Sequence, residues 1–323
     1  MKKRTLYILM SSIVVLTSIF FVAVYFLGLN NELEKVANIP DKNSEPVFDY
    51  LINGDFSNPL NKPMDVAKIG EFLYVTDTNN KQVQVFDVSG STFFRFGKEG
   101  EGEGDFRFPY GIAGDEKENV YIADLYTGKI SIFDSKGKFI KYFEEQDKNN
   151  KVIEAPAGLR ITNNKLYVTD IKKSSVYIFS LDGKKELEIS QGQNKDDRMA
   201  APNAIALDDN KNIYVSDSGN QRVLKFDKEG KYLATINGSS DGNGQSTFVN
   251  PRGVGVDSRG ILYVVNNLAS SVSGFDKDGK KIFEFGTMGE ENNQFYLPNG
   301  LNIDENGLIY ITDTVNQRIA VYN

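Results

Sequence analysis

LYVTD at 73–77, VYIAD at 120–124, LYVTD at 166–170, IYVSD at 213–217, LYVVN at 262–266 and IYITD at 309–313 are six copies of one pentapeptide. In each, a tyrosine is followed by a β-branched residue, a variable residue and then an acid or its amide. The closing residues are 47, 46, 47, 49 and 47 positions apart. A fixed period in this range marks units that bury their apolar faces only by stacking on neighbours, as in a propeller or a solenoid. Residues that recur in every unit serve the stacking first, so the repeat says more about shape than about chemistry.

The second unit shows how one repeat is built. Pro109, Tyr110 and Gly111 lead into a first strand ending in IAGD, NVYIAD (119–124) is a second, KISIFD (129–134) a third and KFIKYF (138–143) a fourth. Four short strands per unit predict one propeller blade. Gly90, Gly137, Gly183, Gly230 and Gly279 stand between strands three and four of five units, where a tight hairpin calls for positive φ. The sixth unit stops at Asn323 after its third strand. FDYLI (48–52) is a spare strand at the other end, expected to pair onto the last blade and close the ring without an open sheet edge.

Ahead of the repeats, Lys2, Lys3 and Arg4 precede an uncharged stretch from Leu6 to Leu29. As a helix it would be about 36 Å long, enough for a hydrocarbon core of about 30 Å. Three cations before it, with Glu32 and Glu34 after it, predict a cytoplasmic N-terminus and an extracytoplasmic remainder. A cleaved signal peptide would have a shorter apolar region and a small-x-small site, which is not evident after Gly28. The expected organisation is therefore residues 1–29 as a cytoplasmic stub and transmembrane anchor, 30–47 as a polar linker with Pro40 and Pro46, and 48–323 as the six-bladed all-β propeller. A single-pass protein of a bacterial cell membrane is the expected setting.

Composition removes several functions. The 323 residues contain no cysteine and no histidine, which excludes disulfides, thiolate metal sites, Cys or Ser nucleophiles paired with histidine, and histidine-bound zinc. A formal net charge of -7 argues against a nucleic-acid partner.

The pattern Pro-x-Gly-aliphatic, Y-[VI]-x-D, N-x-[RQ], aliphatic-x-F-D resembles the NHL repeat. DSGNQRVLKFD (217–227) carries it almost position for position, and DTVNQRIAVYN (313–323) nearly so. The resemblance covers residues 48–323 and implies a six-bladed propeller. YWTD repeats are similar, but Val75, Ile122, Val168, Val215, Val264 and Ile311 stand where that family has tryptophan. Some relatives of the repeat are lyases that depend on histidine, and no position here can carry that mechanism over. Lactonase-type propellers hold a divalent cation with carboxylate and amide ligands, so a metal-dependent lactonase- or lyase-like enzyme is the alternative to a binding module.

The leading expectation is a membrane-anchored module that presents a loop face to an envelope protein, peptide or glycan. Asp77, Asp124, Asp170, Asp217 and Asp313 are expected to bond turn N–H groups, and Asn266 departs from them. Long connections at 98–108, 144–155, 190–201, 238–250 and 287–297 are expected on one face, where binding usually resides. Glu99, Glu101, Glu103 and Asp105 invite a calcium reading, but they lack the ligand order of a calcium loop, so no cofactor is expected. The first strands should line the central channel. There the copies disagree, and Tyr110, Arg160, Asn203, Arg252, Asn299 and Asn302, with Asn266, are the candidate ligand-binding residues.

Overall fold

Six four-stranded antiparallel sheets stand side by side in a closed ring. The computed structural model describes residues 44–239 and 244–323. The expected anchor, most of the linker and residues 240–243 of one long connection lie outside the described residues. Among the described residues no helix is long and apolar enough to cross a membrane.

The inner strands are Pro63–Ile69, Pro109–Gly114, Pro156–Thr162, Pro202–Leu207, Pro251–Val256 and Pro298–Ile303. Each contacts the next, and the last contacts the first. The second strands, which carry the repeated pentapeptide, are buried along nearly their whole length. Outer strands such as Tyr232–Ile236 alternate between covered and exposed residues, as expected where one face meets solvent.

Apolar packing falls into six clusters, one at each blade interface. Between blades one and two, for example, Tyr74, Val83 and Val85 meet Phe106, Ile112, Ile122 and Phe133. The closing interface joins Val66, Val75 and Phe86 of blade one to Ile52, Tyr310, Ile319 and Val321 of the last blade. Because each unit's apolar surface is completed by its neighbour, no blade has a core of its own.

Ring closure follows the sequence expectation. Phe48–Ile52 pairs antiparallel with Arg318–Tyr322 and becomes the fourth strand of the last blade. Paired backbone bonds between Val47 and Asn323, both 3.0 Å, bring the two ends of the propeller together at its rim. The five hairpin glycines have φ between 77° and 92°, the left-handed region their turn requires. The hydroxyl of the recurring tyrosine also has a place. Tyr121, Tyr214, Tyr263 and Tyr310 bond the acids Asp115, Asp208, Asp257 and Asp304, which open the hairpins after the first strands. Burial, followed by the Asp115 charge, pushes the Tyr121 phenol up to about 12.

Candidate functional site: the central channel and its two ends

In every blade the proline of the first strand pairs with the acid or amide closing the second: Pro63 with Asp77, Pro109 with Asp124, Pro156 with Asp170, Pro202 with Asp217, Pro251 with Asn266 and Pro298 with Asp313. The register then slips by one residue before pairing resumes three positions on. Proline has no N–H for the ladder, and a bulge at the next two residues re-aims their side chains. The residue after the proline is thereby turned toward the channel. The one after that is usually glycine because the neighbouring blade is so close: a Cβ on Gly111 would lie 1.9 Å from the Ala157 carbonyl oxygen.

Four of the seven candidate residues meet at one atom. The Tyr110 hydroxyl accepts from Asn203 Nδ2 at 2.8 Å and Arg252 Nη1 at 3.2 Å, and Asn299 Nδ2 lies 3.4 Å from it. Asn203 and Asn299 are buried, and Asn299 Nδ2 also reaches the Met64 carbonyl at 2.8 Å. Arg252 Nε is buried without an acceptor. This knot closes the channel at the end where the long connections enter. Beneath it is a cavity of about 20 Å³, room for about one water.

Arg160 and Asn302 belong to a different tier, three residues further along their strands. The other four members of that tier are Ala67, Ala113, Ala206 and Gly255. Arg160 Nη2 donates to the Leu301 carbonyl at 3.1 Å, and Asn302 Oδ1 accepts from the Lys68 N–H at 3.3 Å. Below this tier the channel widens to a cavity of about 300 Å³ that opens at the opposite end.

Asp65 was missed by sequence reasoning, although a signal was present. It occupies the position held elsewhere by Gly111, Gly158, Ala204, Gly253 and Gly300, and so breaks the Pro-x-Gly rule. Its carboxylate accepts the Val66 N–H at 3.0 Å and, across the blade boundary, the Ile112 N–H at 3.2 Å. Burial pushes the Asp65 carboxyl up to about 6, against the opposing Arg160 charge and those two N–H bonds.

The acids closing the second strands are clamps on the incoming connection. Asp77, Asp170, Asp217 and Asp313 accept N–H bonds of 2.6–2.7 Å from Asn61, Glu154, Ala200 and Tyr296, and Asp124 accepts from Arg107 at 2.7 Å. The bond to the following turn, expected from sequence, is present at Asp124 and Asp170. Side chains take its place at Asp77, Asp217 and Asp313, which are met by Gln82, Arg222 and Arg318 and by Asn80, Asn220 and Asn316. Asn266 keeps the connection bond, accepting from Val249 at 2.7 Å. It stands apart from the channel residues. In its blade Ala269 and Ser271 replace the Asn and Arg donors, so there is no cation opposite for a carboxylate to meet.

The residue varying inside the pentapeptide also has a role that the sequence reading did not see. Thr76, Thr169 and Thr312 donate to the Tyr110, Asn203 and Met64 carbonyls of the next blade, at 2.7, 2.8 and 3.2 Å. A hydroxyl there bonds one inner strand to the next and holds the carbonyl beside each channel residue.

The outer surface of the plugged end is uneven. Phe108 stacks on Tyr126 at 4.6 Å and on Tyr110 at 6.3 Å, an aromatic ladder from rim to knot. Tyr126, Leu268 and Met288 are 68%, 52% and 65% exposed, and Phe56, Val249 and Tyr296 are exposed too. These six lie in the connections and turns of blades one, two, five and six. At equivalent places blade three has Glu154 ion-paired with Lys172 at 2.6 Å and with Lys173. In the calcium candidate loop, Glu101 pairs with Arg107 at 2.8 Å and Asp105 lies 3.9 Å from Lys98. Among the described residues no group of three or more acids gathers as a metal site would.

Ring closure, bulged inner strands and clamping acids define a six-bladed β-propeller of repeated units. A family model described as a 6-bladed beta-propeller matches residues 55–159 and 140–241, and an NHL repeat matches 295–322. The chain belongs to the NHL-repeat family of six-bladed β-propellers. Human NHL repeat-containing protein 2 is 24% identical over 307 residues, covering 74% of this chain and 42% of that protein. A probable peptidyl-alpha-hydroxyglycine alpha-amidating lyase of Caenorhabditis elegans is 36% identical over 104 residues, 30% of this chain and 29% of the relative. Protein brain tumor of Drosophila melanogaster is 25% identical over 136 residues, 41% of this chain and 12% of the relative. The chain thus spans less than half the length of each of these curated relatives. Among solved structures, a virginiamycin B lyase from Staphylococcus aureus superposes with a TM-score of 0.59 at 15% identity, covering 84% of this chain and 88% of that one. Hydrazine synthase of Kuenenia stuttgartiensis gives 0.55 at 12% identity, covering 84% and 98%. At such identities the likeness is one of fold.

Proposed function

We propose that this propeller is a binding module, held outside a cell membrane by residues 6–29, that docks an envelope protein on its loop face. The observation that carries the reading is the arc of Phe56, Tyr126, Val249, Leu268, Met288 and Tyr296 around a closed channel. Exposed aromatic and aliphatic side chains on a rigid rim suit a protein surface, with aromatics as anchors. Aliphatic Leu268, Val249 and Met288 suit a protein partner better than a glycan, for which stacking tyrosines alone would serve. The uncharged stretch behind Lys2, Lys3 and Arg4 supports the anchor.

The solved lyase and the amidating-lyase relative favour a second reading, catalysis in the channel. The superposed virginiamycin B lyase is described as catalytically inactive with one histidine replaced by alanine. This chain has no histidine, and the knot around Tyr110 occupies the loop end of its channel. Both features favour binding over lyase chemistry.

The test is photo-cross-linking in cells from a residue placed at position 268, with Leu268→Asp, Tyr126→Ala and Lys172→Glu as variants. One stoichiometric protein adduct is expected. The first two variants should lose it with unchanged thermal stability, and Lys172→Glu should keep it. Capture that survives Leu268→Asp and Tyr126→Ala together would remove the loop-face reading.

A further inference from the structure

We propose that the open end of the channel, opposite the loop face, binds a small oxyanion, a carboxylate or phosphate group, through Arg160. The cavity there holds about 300 Å³ and is lined by all six inner strands. That volume is at the lower end for ligand sites and fits a compact molecule. It exists because the tier above it has only Ala67, Ala113, Ala206 and Gly255 around four-sixths of the ring, with Arg160 and Asn302 projecting from the remainder.

Arg160 is the group that asks for a ligand. Its one hydrogen bond among the described residues runs from Nη2 to the Leu301 carbonyl, leaving the rest of the guanidinium fork without a protein acceptor. Burial lowers its pKa, with Asp65 as the opposing influence. Asp65 spends its own oxygens on the Val66 and Ile112 N–H groups. A desolvated cation is expected to be met by charge and hydrogen bonds, and the guanidinium fork matches a planar or tetrahedral oxyanion in two-point contact.

Two of the acids around the mouth are already engaged, and a third, Asp209, lines the cavity together with Lys211. Asp208 accepts from the Asn212 N–H at 2.9 Å and Nδ2 at 2.8 Å, and from the Tyr214 hydroxyl at 3.3 Å. Glu305 is ion-paired with Lys68 at 2.6 Å. Asn302 has committed its oxygen to the Lys68 N–H, so its amide NH₂ remains as a second donor. One cation fork and one neutral amide on a wall of small residues, with Lys211 at the mouth, offer hydrogen-bond donors to an anion. None of these groups takes part in the proposed loop-face docking.

Calorimetric titration of the full chain with inorganic phosphate and with succinate, at ionic strength held constant with chloride, tests this. Saturable one-to-one binding of at least one probe is expected. Tighter phosphate binding would indicate a phosphorylated ligand and tighter succinate binding a carboxylate. Arg160→Ala and Arg160→Gln should weaken binding about tenfold or more, the worth of a charge-assisted bond. Asn302→Asp, nearly isosteric, should do the same by placing a negative charge on the wall, and it decides the matter if the arginine variants do not fold. Lys148→Ala, at an exposed lysine, should leave affinity unchanged. Binding no stronger than that of matched chloride, or Arg160→Gln and Asn302→Asp binding as the parent does, would overturn the proposal.

Discussion

Two six-fold rings sit a few residues apart in this propeller, and they behave in opposite ways. The ring of residues closing the second strands is nearly invariant: five aspartates and one asparagine, each gripping the connection that enters its own blade. The ring just after the prolines, Met64, Tyr110, Ala157, Asn203, Arg252 and Asn299, has almost no repetition, yet four of its members converge on one hydroxyl. Sameness around the axis reflects a local task performed six times. Difference reflects a single task at the axis itself, where six copies of one bulky residue could not share the space.

The largest effect should come from breaking the repeated ring. Asp313 is fully buried and receives Arg318 Nε and Asn316 Nδ2, both at 2.8 Å, as well as the Tyr296 N–H. Asp313→Ala takes the carboxylate from buried Arg318, whose Nη1 and Nη2 keep the Glu290, Glu291 and Gln294 carbonyls, so the loss should lie at the lower end of the about 3–5 kcal/mol for breaking a buried pair. Urea unfolding measures it. A loss under about 1 kcal/mol would mean that the ring is dispensable and the comparison misconceived.

Asp65 lies between the two rings in character, an acid in a glycine position. Its folded pKa, about 6, is above its ordinary 3.8. A carboxyl raised in this way binds its proton more tightly in the folded state. Its contribution is therefore neutral below about pH 4, becomes unfavourable as pH rises through 6, and levels off at about 3 kcal/mol. Asp65→Asn should remove that decline, flattening stability between pH 4 and 7, while its level at pH 7 also carries the loss of one acceptor, since the amide NH₂ must face either the Val66 or the Ile112 N–H. An unchanged pH profile would mean that Asp65 is not buried as described.

Tyr110→Phe tests the convergence with the ring kept in place. The phenyl group can still stack on Phe108, while Asn203 Nδ2 and Arg252 Nη1 lose their acceptor. Leaving buried donors unmet costs about 1–3 kcal/mol. A neutral result would show that water replaces the hydroxyl and that the channel end is looser than the distances indicate.

These differences also show what was legible in the chain. Six blades, the closing strand at 48–52 and the hairpin glycines could all be read because period, strand length and positive φ are local properties. The meeting of Tyr110 with Asn203, Arg252 and Asn299 could not, because those residues are 93 to 189 positions apart and only the ring geometry joins them. Asp65 could have been found, since five small residues in register mark its position as exceptional. The hydroxyls of Thr76, Thr169 and Thr312 were hidden because their partners are carbonyls of the next blade, which no side-chain pattern reports.

Asn266 sharpens the comparison most finely, because it is the one departure inside the repeated ring. Its blade lacks the usual donors: Ala269 stands where other blades have Asn80, Asn220 and Asn316, and Ser271, opposite it in register, donates to Glu284 at 2.9 Å. An amide satisfies the Val249 N–H without requiring a cation, so the substitution fits the local donor set and needs no ligand to explain it. Asn266→Asp should keep that bond but bury a charge facing no arginine, lowering stability at pH 7 by about 1 kcal/mol. The loss should shrink on acidification, since protonation restores a neutral side chain. Adding Ala269→Asn and Ser271→Arg should recover most of it by rebuilding the clamp of blades four and six. If Asn266→Asp were instead neutral alone and the added pair gave nothing, the donor set would not explain the amide, and position 266 would return to the candidates for recognition.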